Sequence, residues 1–334
     1  MPASNVRLQA PLVRLKTLYP GQFGVAGSDV SLGLRLGTTG KVIYVDPNYI
    51  GVTDDSDGTD PECPLASIQA AVNKCTDFAG DVILVMHNDS WLFGPRTTAR
   101  NTPIAENVIV NKHGISIVGV AQSSSVGVPW RPATAGGVAC TVNALDVLIE
   151  GFAFCESLVG AGAGTGISVV WNGTTAWGDN FSVRHCYFGD DLDNGILLDY
   201  VWNSVFEDCE FQSMGAYGIY CDPAGSAPAS LTIRRNWFYE CGLGAGGAIY
   251  IPEANGCLIA DNWVYNGNAQ SAVAATNEGI YTGLGADNIV ANNWLSCLRP
   301  VPANGDYDDF CSGSGSDAWL NCHCLDGDAV TTPT

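Results

Sequence analysis

Between residues 144 and 298 one arrangement of apolar and polar positions recurs: an aliphatic or aromatic residue, two positions that accept polar side chains, then Asn or Cys, then an aromatic pair. It is loosest at Ile149-Glu150-Gly151-Phe152-Ala153-Phe154 and returns at Val183-Arg184-His185-Cys186-Tyr187-Phe188 and Phe206-Glu207-Asp208-Cys209-Glu210-Phe211. Three closer copies follow at Ile233-Arg234-Arg235-Asn236-Trp237-Phe238, Ile259-Ala260-Asp261-Asn262-Trp263-Val264 and Val290-Ala291-Asn292-Asn293-Trp294-Leu295. Successive copies lie 23 to 34 residues apart. A second phrase, a small residue followed by Ile, precedes five of the copies at Gly166-Ile167, Gly195-Ile196, Gly218-Ile219, Ala248-Ile249 and Gly279-Ile280.

Two phrases sharing one period predict a stack of supersecondary units. Propeller blades need about 40–50 residues each, and a leucine-rich repeat would need regular leucines around its asparagine. The pattern therefore predicts an all-β fold, a right-handed parallel β-helix solenoid. Equivalent positions on successive coils stack about 4.8 Å apart. Asn236, Asn262 and Asn293 are thus expected to form a hydrogen-bonded ladder, with Cys186 and Cys209 in the same row. That gives the cysteines a structural task without disulfide or metal. Tyr187, Trp237, Trp263 and Trp294 are expected to stack in parallel, on a wall that either takes sugar rings or packs against loops and neighbouring subunits.

Upstream, Lys41 to Asp46 reads as a strand, followed by a turn-rich acidic loop from Asp54 to Asp60. Leu65, Ile68, Ala71, Val72 and Cys75 recur at helical spacing and predict an amphipathic helix over about 64–75, before an apolar strand from Asp81 to Met86. Strand, acidic loop, short helix and Gly-Asp-hydrophobic strand resemble the N-terminal part of right-handed β-helix proteins of the pectate-lyase-like superfamily. The resemblance implies that the helix caps the first coil, whose open end needs a cover. The division expected is an extended arm over 1–40 and a β-helix domain over 41–334. In the arm Val6, Leu8, Leu12, Val13, Leu15 and Leu18 are interleaved with polar and basic residues. It reads either as an untethered tail or as a docking segment whose contacts are Arg7, Leu8, Leu12, Arg14, Leu15 and Lys16.

Composition narrows the function. With 46% hydrophobic and 14% charged residues the chain is too apolar for disorder, and it has no apolar run long enough to span a bilayer. The net charge is −20, but residues 1–40 carry +3, so the remainder carries −23. A body so poor in Lys and Arg is not expected to bind nucleic acid, and no membrane partner is expected. The first residues lack the apolar stretch of a signal peptide, so ordinary secretion is not expected. The 13 cysteines are odd in number and scattered, so most read as small buried thiols.

A search for chemistry finds no complete set, and no catalytic residue, cofactor or metal is assigned. A metal-assisted lyase needs a basic residue and a calcium site, yet Arg184, Arg234 and Arg235 are the basic residues of the repeated phrases. Of the polygalacturonase motifs, Asp190-Asp191 is an isolated partial match. Asp190, Asp191, Asp193, Glu207, Asp208 and Glu210 are the carboxylates from which a glycosidase pair would be drawn; an acidic solvated face is the bland reading. The Asp54–Asp60 loop lacks the closing glutamate of a calcium loop and reads as Asx turns, and Cys322-His323-Cys324 reads as packing.

An acidic β-helix led by a short basic arm, without a recognisable catalytic set, resembles the structural proteins of tailed-phage virions. That resemblance implies a homotrimer on the capsid surface. With about 40 residues before the solenoid, a capsid decoration (cement) protein whose partner is the major capsid protein fits better than a full tailspike. A tailspike-like glycan-binding or glycan-cleaving protein is the alternative, with carbohydrate as partner.

Overall fold

A computed structural model describes residues 40–49, 51–86, 103–120, 127–155, 164–171, 178–189, 192–221, 227–242, 246–266, 279–283, 285–297, 310–312 and 316–324. The expected arm residues Arg7, Leu8, Leu12, Arg14, Leu15 and Lys16 lie outside this set.

The described chain winds through three parallel sheets. The first holds ten strands, from Val42–Val45 through Val82–Met86, Ser116–Val120, Leu148–Glu150, Ser182–Arg184, Val205–Glu207, Thr232–Arg234, Leu258–Ala260 and Ile289–Ala291 to Ala318–Leu320. The second holds nine, from Ile104–Ala105 to His323–Cys324, and the third eight, from Val108–Val110 to Phe310–Ser312. From Val82–Met86 onward the described strands visit the three sheets in that order, and each pairs with its counterparts in the neighbouring coils. The result is a right-handed parallel β-helix.

Register explains the repeated phrases. Ile149, Val183, Phe206, Ile233, Ile259 and Val290 are successive partners in the first sheet, and all point into the core. Ile167, Ile196, Ile219, Ile249 and Ile280 do the same in the third. In the second sheet the aromatic pair splits because successive side chains face opposite sides of a strand. Its second member turns inward. Phe154, Phe188, Phe211 and Phe238 form a stacked column with centroids 5.0, 4.8 and 4.6 Å apart. Each fully buried ring contributes roughly 1.5–3 kcal/mol.

The column also dictates the small residue before Ile. A Cβ at Gly195 would lie 2.6 Å from Phe211 Cδ1, and one at Gly218 would lie 2.6 Å from Phe238 Cδ1. In the next coil the column continues with the smaller Val264, and the matching position is Ala248.

Helix α1 spans Ile68–Lys74, shorter than the expected 64–75. Leu65 bridges Val45 as extended backbone, and Asp54 accepts the amides of Ala66 and Ser67 at 2.9 and 3.0 Å, which holds that stretch outside the helix. Ser67 then caps it, accepting Ala70 N–H through Oγ at 3.2 Å. Its Ile68, Ala71 and Val72 join the core with Ile43 and Val45. Glu106 receives the leading amides of Ile68 and Gln69 at 3.0 and 3.2 Å, although burial pushes its carboxyl upward. No helix among the described residues is long and apolar enough to cross a membrane.

Candidate functional site

The corner between the first and second sheets is a two-residue turn whose first residue is left-handed: φ is +49° at His185, +56° at Asp208, +55° at Arg235, +57° at Asp261, +55° at Asn292 and +51° at Asn321. Short polar side chains tolerate this region best, which accounts for Asp or Asn at four of these six positions. The second turn residue is the ladder. Asn236 Nδ2 donates to Asn262 Oδ1 and Asn262 Nδ2 to Asn293 Oδ1, both at 3.0 Å. Each Oδ1 also accepts the main-chain N–H one coil earlier, from Cys209, Asn236 and Asn262 in turn, at 3.0 Å. Each Nδ2 further donates to a buried carbonyl, that of Phe206, Ile233 or Ile259. Cys186 and Cys209 extend the row, their thiols donating to the carbonyls of Arg184 and Glu207 at 3.3 Å.

Cys322 continues the ladder. It is buried beside Asn293, whose Nδ2 approaches Cys322 Sγ at 3.8 Å, and Trp319 pairs with Val290 in a further coil. The Cys322-His323-Cys324 stretch is therefore a repeat copy. It went unseen because it lacks the aromatic pair. A second ladder, also missed, lines the corner before the first sheet: Asn288 Oδ1 accepts Cys257 N–H at 3.0 Å, and Asn288 Nδ2 donates to Asp317 Oδ1 at 3.0 Å. Its signal was a turn residue followed by a small or polar one, as in Asn203-Ser204, Gly256-Cys257 and Asp287-Asn288.

Beside the first ladder an ion network crosses three coils on the outer face of the first sheet. Arg184, Glu207 and Arg234 are register partners. The Glu207 carboxylate, 7% exposed, meets Arg184 Nε at 3.0 Å, Arg234 Nε at 2.7 Å and Arg235 Nη2 at 2.8 Å. Arg235 also grips Asp208 with two hydrogen bonds of 2.8 Å. Burial alone would raise the Glu207 carboxyl, but the Arg234 hydrogen bond and the neighbouring guanidinium charges hold it below its ordinary value. The Arg235 hydrogen bond likewise lowers Asp208. His185 Nδ1 lies 3.4 Å from Glu150 Oε1, and that contact raises its imidazole above the ordinary value against the opposing effect of burial. Two carboxylates from which a glycosidase pair would be drawn are thus committed to guanidinium partners. Asp193 is half-buried, Glu210 is exposed, and Asp190 and Asp191 lie outside the described residues.

The acidic loop is also committed. Asp54 holds Ala66 and Ser67, Asp57 accepts Thr59 N–H at 2.9 Å, and Asp60 accepts Glu62 N–H at 2.8 Å. Among the described residues no group of three or more His, Cys, Asp and Glu side chains converges as a metal site would require. The ladder and core thiols are buried, and burial pushes Cys257 up to about 11 and Cys75 up to about 12.

The outward members of the aromatic pairs make a wall on the second sheet. Trp237, Trp263 and Trp294 are register partners with centroids 5.9 and 5.8 Å apart, and they remain 52, 45 and 43% exposed. Tyr239 and Tyr265 stack beside them at 5.2 Å. Tyr187, expected in the same stack, is separated from it: Glu210 stands between Tyr187 and Trp237, and the Tyr187 hydroxyl donates to Gln212 Oε1 at 3.0 Å.

The family described as "Right handed beta helix region" matches residues 147–295, the stretch of repeated phrases. No curated protein matches the chain. Among solved structures the chain is similar to the pectate lyase Pel9A, at 16% identity over 86% of this chain and 79% of that one with a TM-score of 0.44. It is also similar to the GH136 lacto-N-biosidase of Eubacterium ramulus, at 12% identity over 89% and 69% with a TM-score of 0.41. A third is ORF18 of Geobacillus virus E2, at 15% identity over 90% and 63% with a TM-score of 0.36.

Proposed function

We propose that the protein is a structural component of a tailed-phage virion, a trimeric capsid decoration (cement) protein rather than an enzyme. One observation carries this reading: Glu207 and Asp208 serve as the anions of a network that ties three coils together. A carboxylate gripped by guanidinium groups is held ionised and is a poor proton donor, so these residues suit rigidity better than acid catalysis. The arm residues Arg7, Leu8, Leu12, Arg14, Leu15 and Lys16 are the proposed shell contacts, and three such arms on one trimer would make each later contact intramolecular.

A second reading, a tailspike-like glycan-binding protein, is favoured by the exposed row Trp237, Trp263 and Trp294. Such a row offers flat apolar surface either to sugar rings or to a neighbouring subunit.

Sedimentation separates the two. Intact protein is mixed with undecorated capsid shells, alongside a full-length variant carrying Arg7→Ala, Arg14→Ala and Lys16→Ala. Trimers that co-sediment with shells, and a variant that does not, support cement. Failure of the intact protein to bind shells, together with retention on host polysaccharide, would replace it with the glycan reading.

A further inference from the structure

Beyond Arg234 the outer face of the first sheet loses its charge. The strands Thr232–Arg234, Leu258–Ala260, Ile289–Ala291 and Ala318–Leu320 are in register, so Arg234 is followed along the wall by Ala260, Ala291 and Leu320, and Thr232 by Leu258 and Ile289. Ile289 and Leu320 are 46 and 53% exposed. Across the ladder corner the second sheet carries the exposed row Trp237, Trp263 and Trp294. Ten large apolar side chains are exposed among the described residues, and these two adjoining faces hold five of them. Single exposed apolar residues are ordinary, but a cluster marks a contact surface.

Two properties select the partner. The first is charge. With 34 Asp and Glu against 14 Lys and Arg, most of the surface of this chain repels a second copy of it. The first-sheet strands Leu258–Ala260, Ile289–Ala291 and Ala318–Leu320 and the second-sheet strands Trp237–Tyr239, Trp263–Asn266 and Trp294–Cys297 contain no charged residue. The turns that follow those three first-sheet strands hold one carboxylate, Asp261, which accepts Asn292 Nδ2 at 3.2 Å. Closer to the N-terminus the two faces are charged in opposite senses. On the first, three guanidinium groups, of Arg184, Arg234 and Arg235, hold two carboxylates, of Glu207 and Asp208; on the second, the exposed Glu210 is in register with Trp237. The second property is aliphatic character. Sugar rings use flat aromatic surface with converging hydrogen-bonding groups, and Ile289 and Leu320 offer neither. Aliphatic side chains beside tryptophan fit the apolar centre of a protein interface, with charges at its rim.

We propose that these faces are the two halves of a head-to-tail contact between copies of this chain: the first-sheet face of one protomer, centred on Ile289 and Leu320, packs on the second-sheet face of the next, centred on Trp263. The inference rests on the trimeric reading and gives it an interface. In a closed ring of three, each protomer gives one surface to each neighbour, and the two surfaces differ. Sheets that meet at one corner supply such a pair and turn the row Asp261, Asn292 and Asn321 toward the threefold axis. With that axis along the solenoid, equivalent coils are level. Trp294 of one protomer then stands level with Ile289 of the next, and Glu210 with the guanidinium groups around Glu207.

The test is sedimentation velocity of the full-length chain, with circular dichroism to check the fold. One variant carries Ile289→Glu with Leu320→Glu, the other Trp237→Glu with Trp263→Glu. The wild type should be trimeric and each variant monomeric. An equimolar mixture of the two should form dimers of one of each, because the first variant keeps its second-sheet face and the second keeps its first-sheet face, and one such junction cannot close a ring. A wild-type trimer that persists in either variant, or a mixture that stays monomeric, overturns the interface and leaves the trimeric reading standing. A wild type that is monomeric at every concentration sinks both. If the glutamates unfold the chain, Ile289→Thr with Leu320→Thr decides: trimer dissociation should shift to concentrations about tenfold higher or more, and an unchanged dissociation overturns the interface.

Discussion

The side-chain amide of Asn236 donates to Asn262 Oδ1 at 3.0 Å, and that same oxygen accepts the Asn236 main-chain N–H at 3.0 Å. One buried oxygen therefore closes two bonds between adjacent coils. Replacing Asn262 with Ala removes the acceptor of the buried Asn236 main-chain N–H, one of the two acceptors of the Asn236 side-chain amide, and a donor to the buried Ile233 carbonyl. A loss of about 2–4 kcal/mol is expected in chemical denaturation. Asn262→Cys should lose less, since Cys209 already fills this row with its thiol bonded to main chain.

Glu207→Gln tests the ion network. The change leaves three guanidinium groups around a neutral amide, but their side chains are 33 to 43% exposed, so solvent screening limits the cost to about 1–3 kcal/mol. The difference between wild type and variant should shrink in high salt, measured as denaturant midpoints at low and high ionic strength.

The pH dependence of stability should carry two signatures. Because the folded-state value of His185 is raised, its protonated form adds stability that is fully present below its ordinary value of 6.5 and lost as pH rises through the raised value. Because Glu207 and Asp208 are lowered, their stability is present above their ordinary values of 4.5 and 3.8 and lost as pH falls through the lowered ones. Melting temperature should therefore decline on both sides of a maximum. His185→Asn should flatten chiefly the alkaline side, with a smaller effect on the acid side because the His185 charge also helps to lower Asp208.

Thiol chemistry separates surface from ladder. Cys63 is exposed, whereas Cys186, Cys209, Cys257 and Cys322 are buried and bonded to main-chain carbonyls. Mass spectrometry after brief alkylation of native protein near pH 8 should find Cys63 modified and these four intact. Rapid labelling of Cys209 would contradict the buried ladder.

Trp263→Ala removes the centre of the exposed indole row. The fold should lose about 1 kcal/mol or less, as for a surface site. If the row is a subunit contact, sedimentation velocity should show trimers giving way to monomers; intact trimers with lost glycan retention would assign the row to sugar.

The coil itself was legible in the residues. An inward aliphatic at Ile233 or Ile259, a tolerant turn residue, a ladder residue and an inward aromatic are each set by local alternation and turn chemistry, and these repeat wherever the chain makes the same corner. The small residue before Ile was legible as a pattern, but its reason was not, because the ring filling its missing Cβ stands in the second sheet of the following coil. What tertiary structure alone decided is which outward side chains become neighbours. Copies spaced 23 to 34 residues apart hide their register, so nothing in the chain announced that Glu207 would collect Arg184, Arg234 and Arg235, or that Glu210 would part Tyr187 from the tryptophans. Inward positions obey the coil's own geometry, whereas outward ones depend on the stacking of coils and on what lies over them. Leu84 and Val118, which face away from the core, are buried in an apolar cluster of their own.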